Sequence, residues 1–244
     1  MSDNRYKKFT TGHMMRDMHF SGAALKVGEP FPNFELPTTA GGTHEYNRDS
    51  GRPLLVVTGS ITCPMTASAM PVLRGLHAQF GDKVDFVTLY TREAHPGENF
   101  PQPATLEEKS AHAAAMKREY DVPWTMVVDS LDGKLHKALD AKPNDAYLVN
   151  DHGIIVFRSL WSSDEKALGA ALSDLISGKK QRRSQSTAFM GPVMTAVGHV
   201  TDTMKLAGPQ ATRDLIRSAP PMYMMGWISD LFRSGKRKAD IPSA

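Results

Sequence analysis

Pro53-Leu54-Leu55-Val56-Val57-Thr58-Gly59-Ser60-Ile61-Thr62-Cys63-Pro64 is the stretch that decides the fold. The apolar run 53–58 predicts a buried strand, and 65–80 predicts a helix with Pro71 as a kink. Cys63, the single cysteine of the chain, therefore falls at a strand-to-helix turn, where unpaired backbone N–H groups and the helix dipole favour an anion. A thiolate is such an anion, and it is the nucleophilic form of cysteine. The alternative is a small buried hydrophobe, but the hydroxyls of Ser60 and Thr62 make a poor apolar niche.

Working outward, 84–90 predicts a second strand, and 94–104 is a proline-rich loop. Thr105-Leu106-Glu107-Glu108 is a capping box that opens a helix to about Tyr120. An apolar run at 125–129 and a short helix at 132–140 follow. The runs 145–149 and 154–159 flank the turn Asn150-Asp151-His152-Gly153, a hairpin signal. Ser162-Ser163-Asp164-Glu165 caps a helix to about Ile176. Before the core, 27–36 reads as an extended lead-in and 43–46 as a short strand. Two strands separated by a helix should be parallel and a hairpin antiparallel. The expected class is therefore α/β: a thioredoxin-like fold, a mixed central sheet flanked by helices, with an insert before the hairpin and a helical C-terminal extension.

The expected organisation is an irregular polar arm at 1–26, the redoxin domain at 27–178, and a basic linker with a Met-rich extension at 179–244. The extension carries an apolar aromatic run at 220–232, followed by Arg233 and Lys236-Arg237-Lys238. It reads as a helical appendage packing on the domain or a second subunit, with a basic amphipathic membrane-surface anchor as the alternative.

The 244 residues are 41 % hydrophobic and 23 % charged, an ordinary globular composition. With one cysteine there is no internal disulfide, which suits a reducing, cytoplasmic setting. A catalytic cycle through Cys63 needs an outside thiol, a second subunit or the substrate to complete it. No segment approaches the apolar length of a bilayer span, and the N-terminus lacks the apolar core of a signal peptide. The net charge of +3 gives no reason to expect nucleic acid, and no histidine or cysteine cluster has metal-ligand spacing.

Parallel strands end on one edge of the sheet, where α/β sites form. Cys63 lies past the end of the first strand, and Thr91-Arg92-Glu93-Ala94-His95-Pro96 lies past the end of the second. If the strands are neighbours, Glu93 and His95 face the thiol as acid/base partners. Ser60 and Thr62 would donate to the thiolate or relay a proton. A solvated loop that happens to carry charge is the other reading of 93–95. His77 and His112 read as surface or edge residues of helices, His152 as a turn residue, and His136 and His199 have no partner nearby in sequence.

Two resemblances sharpen this. The opening Val27-Gly28-Glu29-Pro30-Phe31-Pro32 and Ser60-x-x-Cys63 are similar to the peroxiredoxin opening and its Thr/Ser-x-x-Cys site. Closer is the iodothyronine deiodinase family. Gly59-Ser60-Ile61-Thr62-Cys63-Pro64 resembles its Gly-Ser-x-Thr-selenocysteine-Pro signature, and Asp85-Phe86 through Tyr90 with Glu93-Ala94-His95-Pro96 resembles a second segment. Pro101-Gln102, Leu106-Glu107-Glu108, Val128-Asp129 and Ala141-Lys142-Pro143 extend the likeness to about Arg158.

The resemblance implies a reductive dehalogenase of a small aromatic substrate. Cys63 is then the nucleophile, Ser60, Glu93 and His95 are the proton relay, and Thr62 shapes the nucleophile loop. It implies no tightly bound cofactor, and an external thiol reductant of glutathione or thioredoxin type. A homodimer and a peripheral membrane or protein contact through the extension remain open. The alternatives are a one-cysteine hydroperoxide reductase and a non-catalytic redoxin-fold adaptor.

The sequence departs from the family at several points. Cysteine stands for selenocysteine, Pro103 stands where the family has histidine after Pro-Gln, and Asn144-Asp145 stand where arginine is usual before the hairpin strand. The family's N-terminal membrane anchor is expected to be absent, and the region after 180 has no recognised counterpart.

Overall fold

The computed structural model describes residues 5–239, with side chains through Phe232. Residues 1–4 of the arm, the last five of the extension and the side chains of the basic run 233–238 lie outside the described residues.

The arm forms a helix, α1 (Thr11–Asp17), where an irregular segment was expected. Thr10 caps it by accepting from the His13 N–H at 3.4 Å. The arm is held by burial of Tyr6 and Phe9, by the Tyr6 hydroxyl donating to the Ala94 carbonyl at 2.8 Å, and by an Arg92–Asp17 ion pair at 3.6 Å. Its order comes from tertiary contacts, which local sequence does not report.

The lead-in becomes β1 (Phe34–Pro37), paired antiparallel with β2 (Thr43–Tyr46). The core follows as β3 (Leu54–Gly59), α2 (Pro64–Phe80) and β4 (Asp85–Tyr90). β3 and β4 are parallel neighbours, in register Leu54 to Asp85 through Gly59 to Tyr90. Every residue of β3 is buried, as expected of a strand covered on both faces.

The insert supplies α3 (Leu106–Glu119) and β5 (Thr125–Val128). Thr105 caps α3 by accepting from the Glu108 N–H at 3.1 Å. β5 adds to the sheet parallel to β4, so the insert provides an edge strand. After α4 (Lys134–Ala138) comes the hairpin of β6 (Ala146–Val149) and β7 (Ile155–Ser159), and then α5 (Glu165–Ile176), capped by Asp164. β6 pairs antiparallel with β3. The linker contributes a two-residue strand, β8 (Gln185–Ser186), parallel to β7. Among the described residues the main sheet runs β5-β4-β3-β6-β7-β8. A central βαβ unit followed by an antiparallel hairpin and a closing helix is the thioredoxin-like fold.

The extension is helical: α6 (Met190–Val197), α7 (Val200–Ala207), α8 (Pro209–Ser218) and α9 (Pro220–Ala239). It docks on the loop after β4. The Asn99 N–H donates to the Ala207 carbonyl at 3.0 Å, and Glu98 accepts from the Gln210 N–H at 2.7 Å. Gly97 permits this approach, because a Cβ there would stand 2.2 Å from the Ala207 oxygen. Val200, Met204, Ala207, Ala211 and Leu215 form a small core with Tyr6 and Phe9, so arm and extension pack on each other.

Candidate active site

β3 and β4 end side by side, and their following turns meet as the parallel register requires. Cys63 is the N-cap of α2, with Pro64 at the first helical position. Its thiol is buried. Burial pushes it above its ordinary value, against the N–H and hydroxyl of Thr66 and the N–H of Met65, which favour the thiolate.

The turn 59–63 and the segment 91–95 are knitted together. The Ala94 N–H donates to Ser60 Oγ at 3.2 Å. The Thr62 hydroxyl donates to Glu93 Oε2 at 2.6 Å and accepts from the His95 N–H at 3.2 Å. The Glu93 carboxyl group is fully buried. Its Oε1 accepts from the Tyr90 hydroxyl and lies 3.0 Å from His112 Nδ1. The Gln102 side chain brackets the Glu93 backbone, accepting from its N–H at 3.1 Å and donating to its carbonyl at 2.7 Å.

His112 was expected at a surface or edge. It bonds instead to Glu93, because the register of α3 against the sheet turns its ring inward. His136, which showed no partner nearby in sequence, is buried with Nε2 2.7 Å from the Lys142 carbonyl. That contact lies only six positions away, across a turn that spacing alone does not reveal.

Cys63 and His95 share one cavity. The arm contributes Phe9, Met14, Asp17 and Met18 to it. Trp161 lines it from beyond β7, and Phe189, Val193, Leu215, Ala219 and Met222 line it from the extension. The His95 ring packs on Phe9 with centroids 4.1 Å apart. Burial, reinforced by Arg92, lowers its pKa to about 3, so the imidazole is neutral near pH 7. Ser60, Thr62 and Glu93 do not line the cavity and form a buried layer behind it. Sequence reasoning did not assign Asp17, Tyr90, Gln102, His112 or Trp161 to the site. Tyr90 at least stood within the family-like segment, whereas nothing local marked Trp161.

The family model for iodothyronine deiodinase matches residues 14–160, which span the nucleophile turn, the 93–96 segment, the insert and the hairpin. The chain belongs to the iodothyronine deiodinase family. It is 28 % identical over 141 residues to the thyroxine 5-deiodinase of Gallus gallus, covering 53 % of this chain and 54 % of that protein. It is 31 % identical over 119 residues to the type II iodothyronine deiodinase of Fundulus heteroclitus, covering 43 % and 45 %. The chain thus spans about half the length of these deiodinases.

Two solved structures share the fold, each at 19 % identity and a TM-score of 0.54 over 66 % of this chain. One is a hypothetical protein from Sinorhizobium meliloti, 90 % covered, and the other an uncharacterized conserved protein from Geobacillus kaustophilus, 87 % covered.

Within this deiodinase-family scaffold, Asn144 occupies the place before the hairpin strand as a strut. Its amide donates to the Thr58 carbonyl and to Thr66 Oγ1, each at 3.4 Å, and its oxygen accepts from the Ser162 N–H at 3.2 Å. Pro103 offers its carbonyl to Arg5 of the arm at 2.5 Å. Among the described residues there is no cluster of histidine, cysteine, aspartate or glutamate that could hold a metal ion.

Proposed function

We propose that the protein is a cysteine-dependent reductive dehalogenase of aromatic substrates, restored by an external thiol such as glutathione or a thioredoxin. The observation that carries this reading is the placement of Cys63, at a helix N-terminus, with His95 on a cavity whose walls are almost wholly apolar. Such a cavity suits an aromatic ring, and the thiolate is the soft nucleophile that attacks a heavy halogen.

In the proposed step the Cys63 thiolate forms an S–halogen bond as the carbon–halogen bond breaks. The electron pair of that bond stays on the ring carbon, which takes a proton. The carbon is reduced and the sulfur oxidised. His95 is the group on the cavity wall suited to pass that proton, since a neutral imidazole gives a proton from one ring nitrogen and takes one at the other. Thr62 and Glu93 hold the backbone of the turn that positions it. One external thiol then displaces halide to leave a mixed disulfide. A second thiol releases the Cys63 thiol and a small-molecule disulfide. A cycle closed this way suits a reducing compartment such as the cytoplasm.

The hydroperoxide-reductase reading finds less support. A cation beside the thiolate would favour it, yet Asn144 stands before the hairpin strand. Arg92 donates to the Tyr6 hydroxyl at 3.1 Å and the Ala141 carbonyl at 3.4 Å, and Arg158 to the Leu25 carbonyl at 2.6 Å. Neither arginine lines the cavity.

The test is iodide release from an iodothyronine with dithiothreitol, comparing wild type with Cys63→Ser. Release that vanishes in the variant supports the reading and rejects the adaptor alternative. No release from folded wild type with a titratable thiol overturns it.

A further inference from the structure

α9 inverts the usual order of a surface helix. Between 220 and 232 every exposed residue is apolar: the two opening prolines, then Met224, Trp227, Ile228, Leu231 and Phe232. Trp227 is 52 % exposed and Phe232 72 %. Positions 224, 227, 228 and 231 recur at helical spacing, so their side chains share one side of the helix. The polar contacts lie on the other side. There Asp230 accepts from the Thr201 hydroxyl and faces Lys205 Nζ at 3.6 Å. Gly226 is buried against α7, where a Cβ would stand 2.9 Å from Val200 Cβ. This seat holds the apolar side outward. α6, which packs against α9, adds the exposed Met190 and Met194. Single exposed apolar residues are ordinary, but a contiguous stripe marks an interaction surface.

Charge identifies the occupant. From position 179 onward the sequence carries eleven Lys and Arg against four Asp and no Glu, a net +7. The whole chain nets only +3, so residues 1–178 are net acidic at −4. The apolar stripe and the positive charge thus belong to the same extension. Arg233, Lys236, Arg237 and Lys238 follow the stripe directly in sequence. A second copy is the weaker occupant, because pairing through α9 would bring two +7 extensions together. An anionic bilayer answers both features: acyl chains receive the apolar side and acidic headgroups attract the charge. Trp227 suits the boundary between them, since an indole has an apolar body and a polar N–H. No helix of the described residues is long and apolar enough to cross a membrane, so the contact is with its surface.

We propose that α9 docks the protein on the surface of an anionic lipid bilayer, with its apolar side among the acyl chains. Met222 lies on the opposite side of the helix and lines the Cys63 cavity. The docked thiol therefore sits one helix beneath the lipid. This surface does not depend on the dehalogenase reading.

The test is co-sedimentation of the full chain with phosphatidylcholine vesicles, with and without phosphatidylserine. Binding should be at least tenfold stronger with phosphatidylserine and should weaken as salt is raised. Leu231→Glu should weaken it at least tenfold. Because Leu231 is exposed, that variant should keep the thermal unfolding midpoint of wild type and its iodide release in the absence of vesicles. Trp227 emission, taken as wild type minus Trp227→Phe, should move to shorter wavelength when anionic vesicles are added. That shift decides the matter should Leu231→Glu fail to fold. Absence of binding to the anionic vesicles overturns the proposal, as does an unmoved Trp227 emission or equal binding by folded Leu231→Glu. So does a stable dimer that Leu231→Glu converts to monomer, which would make a second copy the occupant.

Discussion

The Thr62 hydroxyl donates to Glu93 Oε2 at 2.6 Å and accepts from the His95 N–H at 3.2 Å, joining the residue before the thiol to the turn that carries the imidazole. Thr62→Val removes both bonds at nearly constant volume and leaves a fully buried carboxyl group short of a donor. The expected cost is about 1–3 kcal/mol of stability. Displacement of His95 should lower iodide release by up to about 100-fold. Urea unfolding and initial rates check this, and Thr62→Ser should recover most of both.

His112 approaches the other oxygen of the same carboxyl group, with Nδ1 3.0 Å from Oε1. His112→Phe keeps a ring of similar size without the polar atom. Stability should fall by about 1–3 kcal/mol and iodide release should fall with it, while His112→Gln restores part of each. A variant identical to wild type in both measurements would show that Glu93 is held well enough by Tyr90 and Thr62.

Stability should depend on pH with two opposing limbs. Burial holds His95 down to about 3 in the folded protein, against 6.5 when unfolded. Between those values the unfolded chain binds the extra proton, so this contribution is present above pH 6.5 and is lost as pH falls toward 3. Asp145 is the reverse. Burial raises it to about 8 against 3.8, despite the Thr58 hydroxyl. Its contribution is present below pH 3.8 and is lost as pH rises toward 8. Denaturation across pH 3–8 should show a shallower acid limb in His95→Gln and a shallower neutral limb in Asp145→Asn.

Phe9 covers the site from the arm and packs on His95. Phe9→Ala should cost about 3–5 kcal/mol, and it should raise the rate of Cys63 alkylation by iodoacetamide several-fold, because the cover is thinned. Burial holds the thiol above its ordinary value in the intact protein. Wild-type alkylation should therefore still be accelerating as pH passes 9. A plateau below that pH would mean that the thiolate is better stabilised than the buried site allows.

The parts legible in the sequence are those with local or strongly periodic signals. The run 54–57 is apolar throughout because β3 is covered on both faces, and Thr105 and Asp164 announce their helices through capping bonds made within three residues. The neighbouring turns of Cys63 and His95 followed from one inference, that β3 and β4 are parallel. The cover was not legible. Tyr6 and Phe9 sit in a polar segment, and their burial depends on contacts about 90 to 210 positions away. Trp161 follows a strand like any apolar residue, and only the packed structure brings it to the cavity. Ser60 was expected to serve the thiol. Its oxygen also accepts from the Ala94 N–H, a partner set by strand register that spacing does not reveal.

The close approach of Gly97 to Ala207 reaches beyond this one chain. Position 97 lies two residues past the imidazole, and no side chain larger than a hydrogen fits there while the extension is seated. In any related sequence that position therefore serves as a diagnostic. Glycine is compatible with a roofed thiol, and any other residue signals a relative whose nucleophile is open to solvent or roofed by something else.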